Sequence, residues 1–329
     1  MLSTSDNALL CQVGRDAPMG ALLRRYWVPA FIASETREND GAPIRFKLLG
    51  EDLIAFRDTN GNVGIMEEYC PHRGASLALG RNEDCGLTCI YHGWKFDVEG
   101  NCIDMPSEPD ASNFKDKVKA RAYPVQEVAG IIWAYMGPAE LVPPFPAFQW
   151  TKVPDDHLVL IKTLQESNFL QGLEGGIDSS HASFLHRSFS GVRTGWGNPL
   201  TALVMKDTAP RLEVEYTSYG YRYAAVRDAE KDEEYVRMTP YILPFYSYIP
   251  GAPGRTTGFT CWVPRDDFSC WQWEVGFNEE RPFTAQERTD RIEQFGFHDN
   301  DLGFRKARNF ENWYQQDREA MKTRGFSGI

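Results

Sequence analysis

The 329-residue chain reads as an α+β protein of two domains: an all-β first half, then a half in which an antiparallel sheet accompanies helices. Three observations predict this. The length exceeds what one ordinary core fills. The first half breaks into short strand-like runs separated by Gly and Asn turns, whereas the second carries long alternating segments flanked by helical patterns. Each half also holds its own cluster of metal-ligating residue types, so each must build its own site.

In order, RDAPMGALLRRY (residues 15–26) offers Asp16 and Pro18 as a helix start and places Met19, Leu22, Leu23 and Tyr26 at near-helical spacing. From Trp27 to Val63, IRFKLLG and DLIAFRD read as strands with a hairpin turn at Asn60-Gly61. A stretch rich in Cys, His and Gly follows, then a second turn at Gly100-Asn101, a Pro-, Ser- and Asp-rich loop over 106–113, and a closing strand pair in YPVQEVAGIIWAYMG. The Pro-rich Pro138–Phe148 is the linker candidate, which sets domains at 1–150 and 151–329. The second half opens on the strand-like KTLQES and a helical stretch from Asn168 to His186. Four alternating segments come next, LEVEYTSYGYRYAAV, YVRMTPYILPFYSYI, GFTCWVPR and CWQWEVGF, which predict an antiparallel sheet with one buried face. A charged helix is predicted from Pro282 through Lys322.

The totals exclude several classes. A net charge of −11 argues against nucleic acid, whose phosphates need a basic face. No run of about eighteen apolar residues predicts a membrane span, and MLSTSDNALLCQVGRD lacks a basic-then-apolar secretory layout, so the chain reads as cytoplasmic. Seven cysteines do not form a disulfide framework; Cys11, Cys85, Cys102, Cys261 and Cys270 read as small buried apolar residues.

The chemistry begins at Cys70-Pro71-His72 and Cys89-Ile90-Tyr91-His92, with sixteen residues between His72 and Cys89. Each knuckle offers one thiolate and one imidazole. Two Cys and two His suit a [2Fe–2S] cluster in which two His replace two Cys on one iron. Zinc is the competing reading, but a zinc knuckle pairs Cys with Cys and His with His, whereas here they alternate. Gly74, Gly86 and Gly93 are placed to let the backbone turn around sulfur.

The second pattern is Asp178-x2-His181-x4-His186. Two imidazoles from one segment are what a mononuclear non-heme Fe(II) site with two His and a carboxylate requires, with positions left open for dioxygen. His181 and His186 stand five apart, roughly 140° off one helical face, so the helix is expected to bend or end near Ser183–Leu185; Asp178 shares the face of His181.

With both patterns in hand, the chain resembles the Rieske non-heme iron aromatic-ring oxygenases, α-subunit type, in the phthalate dioxygenase-like branch. The likeness runs through MGALLRRYWVPAF, LLGEDLIAFRD, CPHRGASLALGRNEDCGLTCIYHGWKFD, DMPSEP, LEGGIDSSHASFLH and QDREAMKTRGFSGI. It implies an all-β Rieske domain followed by a helix-grip catalytic domain. Cys70, His72, Cys89 and His92 become the cluster ligands, and His181 and His186 the iron ligands. Asp178 takes the family's catalytic bridging role between a cluster His of a neighbouring subunit and an iron-ligand His, within a head-to-tail homotrimer. The respiratory Rieske proteins place an extra disulfide where Ala75 and Tyr91 stand here, so the resemblance is to the oxygenase group. The third iron ligand is expected in an Asp-x-x-Val-x-Glu segment beyond Ile329; Asp317 is the only nearby substitute, and it reads better as an exposed helix charge.

The resemblance further implies dioxygen and an aromatic substrate, with Arg222, Arg227 and Arg237 as candidates to clamp a carboxylate. No G-x-G-x-x-G follows a strand, so electrons from NAD(P)H are expected through a separate flavin and iron–sulfur reductase or a ferredoxin. The rival expectation is a pure electron carrier whose second half only binds a ligand or partner.

Overall fold

The structure is a computed structural model that describes all residues except 1, 110, 188, 190–198, 250–257 and 295–303. It divides into two compact units, Met1–Thr151 with Pro264–Asp267, and Lys152–Val263 with Phe268–Ile329.

The first unit opens with α1 (Thr4–Cys11), a helix the sequence reading passed over although Ser3 caps it by accepting the Asp6 N–H. The expected second helix is α2 (Pro18–Leu23), with Pro at its first turn. Three small antiparallel sheets follow. One orders β1 (Trp27–Ile32), β11 (Ile131–Tyr135) and β10 (Val125–Val128). The second orders β2 (Ile44–Leu48), β3 (Glu51–Arg57), β4 (Val63–Glu67) and β9 (Ala122–Tyr123). The third is β5 (Arg81–Glu83), β6 (Gly86–Thr88), β7 (Lys95–Phe96) and β8 (Cys102–Asp104). The two Gly–Asn turns share one chemistry. Asp58 Oδ1 accepts the N–H of Asn60 and Asn62, Asp97 Oδ1 accepts those of Glu99 and Asn101, and Gly61 and Gly100 take φ of +85° and +82°.

The Pro-rich segment expected as a linker is packed rather than loose. Trp27 Nε1 donates to Pro143 O at 2.9 Å, Tyr135 Oη donates to Leu141 O at 3.0 Å, and Phe145 meets Trp133 edge-on at 5.1 Å. A proline run presents carbonyls with few N–H groups to satisfy, so it seals an aromatic core cheaply.

In the second unit a seven-stranded antiparallel sheet runs in the order β12 (Leu158–Gln165), β18 (Cys270–Phe277), β17 (Gly258–Pro264), β16 (Tyr246–Ile249), β15 (Glu234–Ile242), β14 (Gly220–Asp228) and β13 (Arg211–Thr217). Helix α3 (Phe169–Ile177) packs on Trp262 of β17 through Gly172 and Gly176, where any Cβ would lie 2.3 and 2.8 Å from the indole. The helix α4 (Pro199–Lys206) precedes β13. The single long helix expected from Pro282 to Lys322 does not form. Instead α5 spans Ala285–Gln294 and α6 only Ala320–Thr323, with a kinked 3-10 turn at Phe310–Gln315. Asn309 caps that turn, and Trp313 and Tyr314 inside it hold positive φ, which no α-helix tolerates. Among the described residues, no helix is long and apolar enough to cross a membrane.

Candidate functional site

The two knuckles are copies of one loop. Cys70 N–H donates to Ala75 O at 2.9 Å while Gly74 N–H returns to Cys70 O at 2.9 Å; Cys89 N–H donates to Trp94 O at 2.8 Å while Gly93 N–H returns to Cys89 O at 3.0 Å. Closing so small a loop puts Gly74 at φ +68° and Gly93 at φ +77°, where a side chain is strained. The expectation for Gly86 is corrected. It has no positive φ and instead lets β6 lie close to β7, since a Cβ there would stand 2.9 Å from Phe96 O.

The loops bring all four predicted ligands together. Cys70 and Cys89 are buried in an apolar cluster with Leu77, Leu87, Trp94 and Phe96. The rings of His72 and His92 meet edge-on at 4.4 Å, and His72 also stacks on Trp94 at 4.4 Å. Nδ1 of His72 and Nδ1 of His92 are both buried with no hydrogen-bond partner. A lone buried acceptor costs about 1–3 kcal/mol, and two side by side are the mark of nitrogens shaped for a metal. Burial, reinforced by the neighbouring Cys89, pushes the Cys70 thiol up to about 11; a bound cation reverses such a penalty by taking the thiolate as ligand. Desolvation, then the charges of His92 and Arg73, lower the His72 pKa and favour the neutral imidazole that ligation needs. The donor set fits a [2Fe–2S] cluster.

At the second pattern the structure corrects the expected helix. Helix α3 stops at Ile177, not near Ser183–Leu185, because Asp178 takes an extended conformation (φ −75°, ψ 123°). Its carboxylate then accepts the N–H of Ser180 at 2.7 Å and of His181 at 3.2 Å, competing with the helical ladder. A 3-10 turn over His181–Ser183 follows. This turn, and not a helical face, brings His181 and His186 together, with Nε2 to Nε2 at 3.2 Å. His181 Nδ1–H donates to Asp178 Oδ2 at 3.1 Å, which leaves Nε2 of the neutral His181 ring as an acceptor facing Nε2 of His186. A proton or a metal ion between them satisfies both. With metal–nitrogen bonds of about 2.1 Å, a 3.2 Å separation subtends roughly 100°, adjacent positions on one ion. Burial alone would raise the Asp178 pKa, but the Ser180 and His181 N–H donors and the His181 ring outweigh it and hold the carboxyl below its usual range. Asp178 stays partly open, at the floor of a groove of about 340 Å³ bordered by Leu212, Val214, Tyr216 and Tyr221.

The segment is also gripped from the sheet. Tyr223 Oη hydrogen-bonds Ser179 Oγ at 2.8 Å and donates to Ile177 O, and Arg227 Nη2 donates to Ser179 O at 2.7 Å. Of the three candidate arginines, Arg222 is removed from a clamp: it points outward, paired across strands with Glu215 at 2.7 Å. Arg227 is buried, with Nε on Asp207 O at 3.0 Å and Nη1 without a hydrogen-bond partner. Burial and the charge of Arg237 both lower its pKa, so the two guanidiniums share one neighbourhood. Both oxygens of Asp317 are used locally, by the N–H groups of Glu319 and Ala320 at 2.9 Å and by Arg324 at 2.7 Å. Sequence reasoning missed Tyr223 and Trp262. The Gly172-x3-Gly176 spacing was the available sign of a close approach on α3.

One unit with a two-Cys, two-His pocket and another with two converging His beside a carboxylate define the class of iron–sulfur, non-heme iron oxygenases. Family comparison agrees in both halves: the Rieske [2Fe-2S] domain family matches residues 26–122, and the family described as LigXa C-terminal domain like matches 134–329. The chain is 44% identical over 348 aligned positions to the phthalate 4,5-dioxygenase oxygenase subunit of Pseudomonas putida, covering 100% of this chain and 76% of that protein. It is 44% identical to the 3-chlorobenzoate-3,4-dioxygenase oxygenase subunit of Comamonas testosteroni, covering 81% of this chain and 62% of that one. A solved dicamba monooxygenase shares the fold, with a TM-score of 0.67 at 18% identity, over 91% of this chain and 90% of that chain. The chain belongs to the Rieske oxygenase family and is an oxygenase component of the aromatic dioxygenase and demethylase type.

Proposed function

We propose that this chain, with residues 1–150 as a Rieske domain and 151–329 as the catalytic domain, inserts oxygen from O2 into an aromatic acid. The observation that carries the reading is the 3.2 Å approach of His181 Nε2 and His186 Nε2 with Asp178 on the far nitrogen of His181, in a chain that also builds the two-knuckle pocket. Cys70 and Cys89 would hold one iron of the cluster, His72 and His92 the other, and His181 and His186 the mononuclear Fe(II). The cluster supplies electrons singly, and ferrous iron supplies a place for dioxygen to bind and react. Dihydroxylation and monooxygenation each consume one O2, two electrons and two protons, the electrons coming from NAD(P)H through a separate reductase or ferredoxin.

The chain's own residues do the rest. Asp178 fixes the tautomer of His181. Its exposed position in the groove suits a hydrogen bond from a cluster His of a second copy, in a head-to-tail trimer whose cluster and iron come from different subunits. For substrate, the buried Nη1 of Arg227, whose guanidinium shares a neighbourhood with Arg237, is an N–H donor that would suit a carboxylate. The names of the phthalate and 3-chlorobenzoate relatives support the same class.

The test is NADH-driven turnover with a purified reductase on aromatic acids and their neutral amides. Turnover that needs the reductase and prefers the acids is expected. Equal rates on acids and amides would end the carboxylate reading, and about two irons per chain rather than three would leave only an electron carrier.

A further inference from the structure

We infer that Tyr223 is a positioning residue for Asp178, its hydroxyl holding the Ile177 carbonyl on one side of that carboxylate and the Ser179 side-chain hydroxyl on the other; this rests on the reading that Asp178 links the two metal centres. Nothing in the spacing of the metal motifs points to Tyr223, which lies on β14, more than forty residues downstream.

Asp178 is the residue where α3 has just ended, and an Asx turn by itself is a weak anchor. Its two chain neighbours are what the sheet holds. Tyr223 Oη donates to the carbonyl of Ile177, and Ser179 Oγ, at 2.8 Å, can donate back to the same phenol oxygen. Four residues along β14, on the same face, Arg227 Nη2 donates to the Ser179 carbonyl at 2.7 Å. The grip is rigid because its members are buried: Tyr223, Ser179 and Arg227 are 7%, 4% and 1% exposed. Tyr223 is also paired with Thr239 on one side and Val214 on the other, inside the sheet and not on a loop. Asp178 itself is exposed while Ser179 is buried, and a carboxylate that is to accept a further imidazole N–H beside that of His181 needs its backbone held while its side chain stays accessible.

The substitution is Tyr223→Phe, which keeps the ring and removes the hydroxyl, with Tyr314→Phe as the control, since Tyr314 stands 44% exposed on the Phe310–Gln315 turn and is not among the residues that line the groove. The first readout needs no metal: amide hydrogen exchange at Ser180 and His181, whose N–H groups donate to Asp178. In Tyr223→Phe both amides should exchange about tenfold faster, the equivalent of one hydrogen bond, with the Tyr314→Phe protein unchanged. Ser179→Ala, which removes one of the two contacts of the phenol oxygen, should give a smaller change in the same direction. The second readout is the rate at which the reduced cluster of the full-length, substrate-bound holoenzyme is reoxidised on mixing with O2. About a tenfold or greater slowing is expected in Tyr223→Phe, with cluster spectrum and iron content unaltered. Unchanged exchange at Ser180 and His181 overturns the proposal, as does loss of iron in proportion to the lost rate, which would mark the hydroxyl as support for folding alone. If the exchange changes but neither Tyr223→Phe nor Asp178→Asn slows reoxidation, the linking role of Asp178 is what fails.

Discussion

Replacing Gly172 by Ala should separate the stability of α3 from its placement. A Cβ built on Gly172 lies 2.3 Å from Cε3 and 2.7 Å from Cζ3 of Trp262, whereas ordinary contact begins at 3.4 Å, so helix or indole must move by about 1.1 Å. Overpacking of this kind costs about 1–3 kcal/mol, and the exchange of Gly for Ala in a helix returns about 1 kcal/mol. The net loss is therefore only about 0–2 kcal/mol, a fall in Tm of about 2–4 °C per kcal/mol for a unit of this size. The functional effect should be far larger. Helix α3 ends at Ile177, directly before Asp178 and four residues before His181, and a shift of about 1 Å at a reacting centre costs roughly a hundredfold in rate. Gly175 provides the internal control, because nothing lies within 4 Å of its Cβ position. Gly175→Ala should raise stability by up to about 1 kcal/mol and leave turnover intact. Thermal unfolding and reductase-coupled turnover on the three proteins decide it. Full turnover in Gly172→Ala, or an equal loss in Gly175→Ala, would refute a role for Trp262 in setting the position of the Asp178–His186 segment.

Asp178→Asn should leave both metal sites loaded while coupled turnover falls by about 10–100-fold, since an amide cannot accept from two imidazoles as a carboxylate does; iron content and product yield per NADH check this. Chelation should strip the His181–His186 site before the buried knuckles and abolish turnover until ferrous iron is returned, with the cluster absorbance unchanged throughout. Burial pushes the Glu274 carboxyl up to about 7 against the opposing hydrogen bonds of Gln272 and Thr260 and the charges of Arg291 and Lys306. A raised acid stabilises fully below its unfolded pKa near 4.5, and that contribution is lost as pH rises through 7. Wild-type stability should therefore fall across this window by at most about 3 kcal/mol, and Glu274→Gln should flatten the profile in urea unfolding at several pH values. A profile equally steep in both proteins would assign the slope to another group.

How much was legible follows from where the information sits along the chain. The two-Cys, two-His pocket could be read because its candidate ligands lie in two short loops, each closed by local hydrogen bonds and a left-handed glycine, so spacing alone encodes the geometry. The strands of the second half could be read for the same reason, since alternation repeats every two residues whatever the sheet order. What went wrong at α3 and at Pro282–Lys322 was the competition between local patterns. Asp178 turns its carboxylate back on Ser180 and His181 and ends a helix that periodicity would continue, and in the late segment Asn309 caps a 3-10 turn whose Trp313 and Tyr314 hold positive φ.

Composition and spacing by themselves picked out two metal patterns, with four candidate cluster ligands and two candidate iron-ligand His, and an α+β chain. Only the tertiary structure decided how His181 and His186 meet, through a 3-10 turn after a terminated helix. It likewise turned Arg222 outward to Glu215 while Arg227 went inward to Ser179, and it put Tyr223 and Trp262 behind the site. The physical reason is range. A knuckle's contacts span five residues, whereas the grip of β14 on Ser179 joins residues more than forty apart. No local pattern records such a pairing until the sheet has formed.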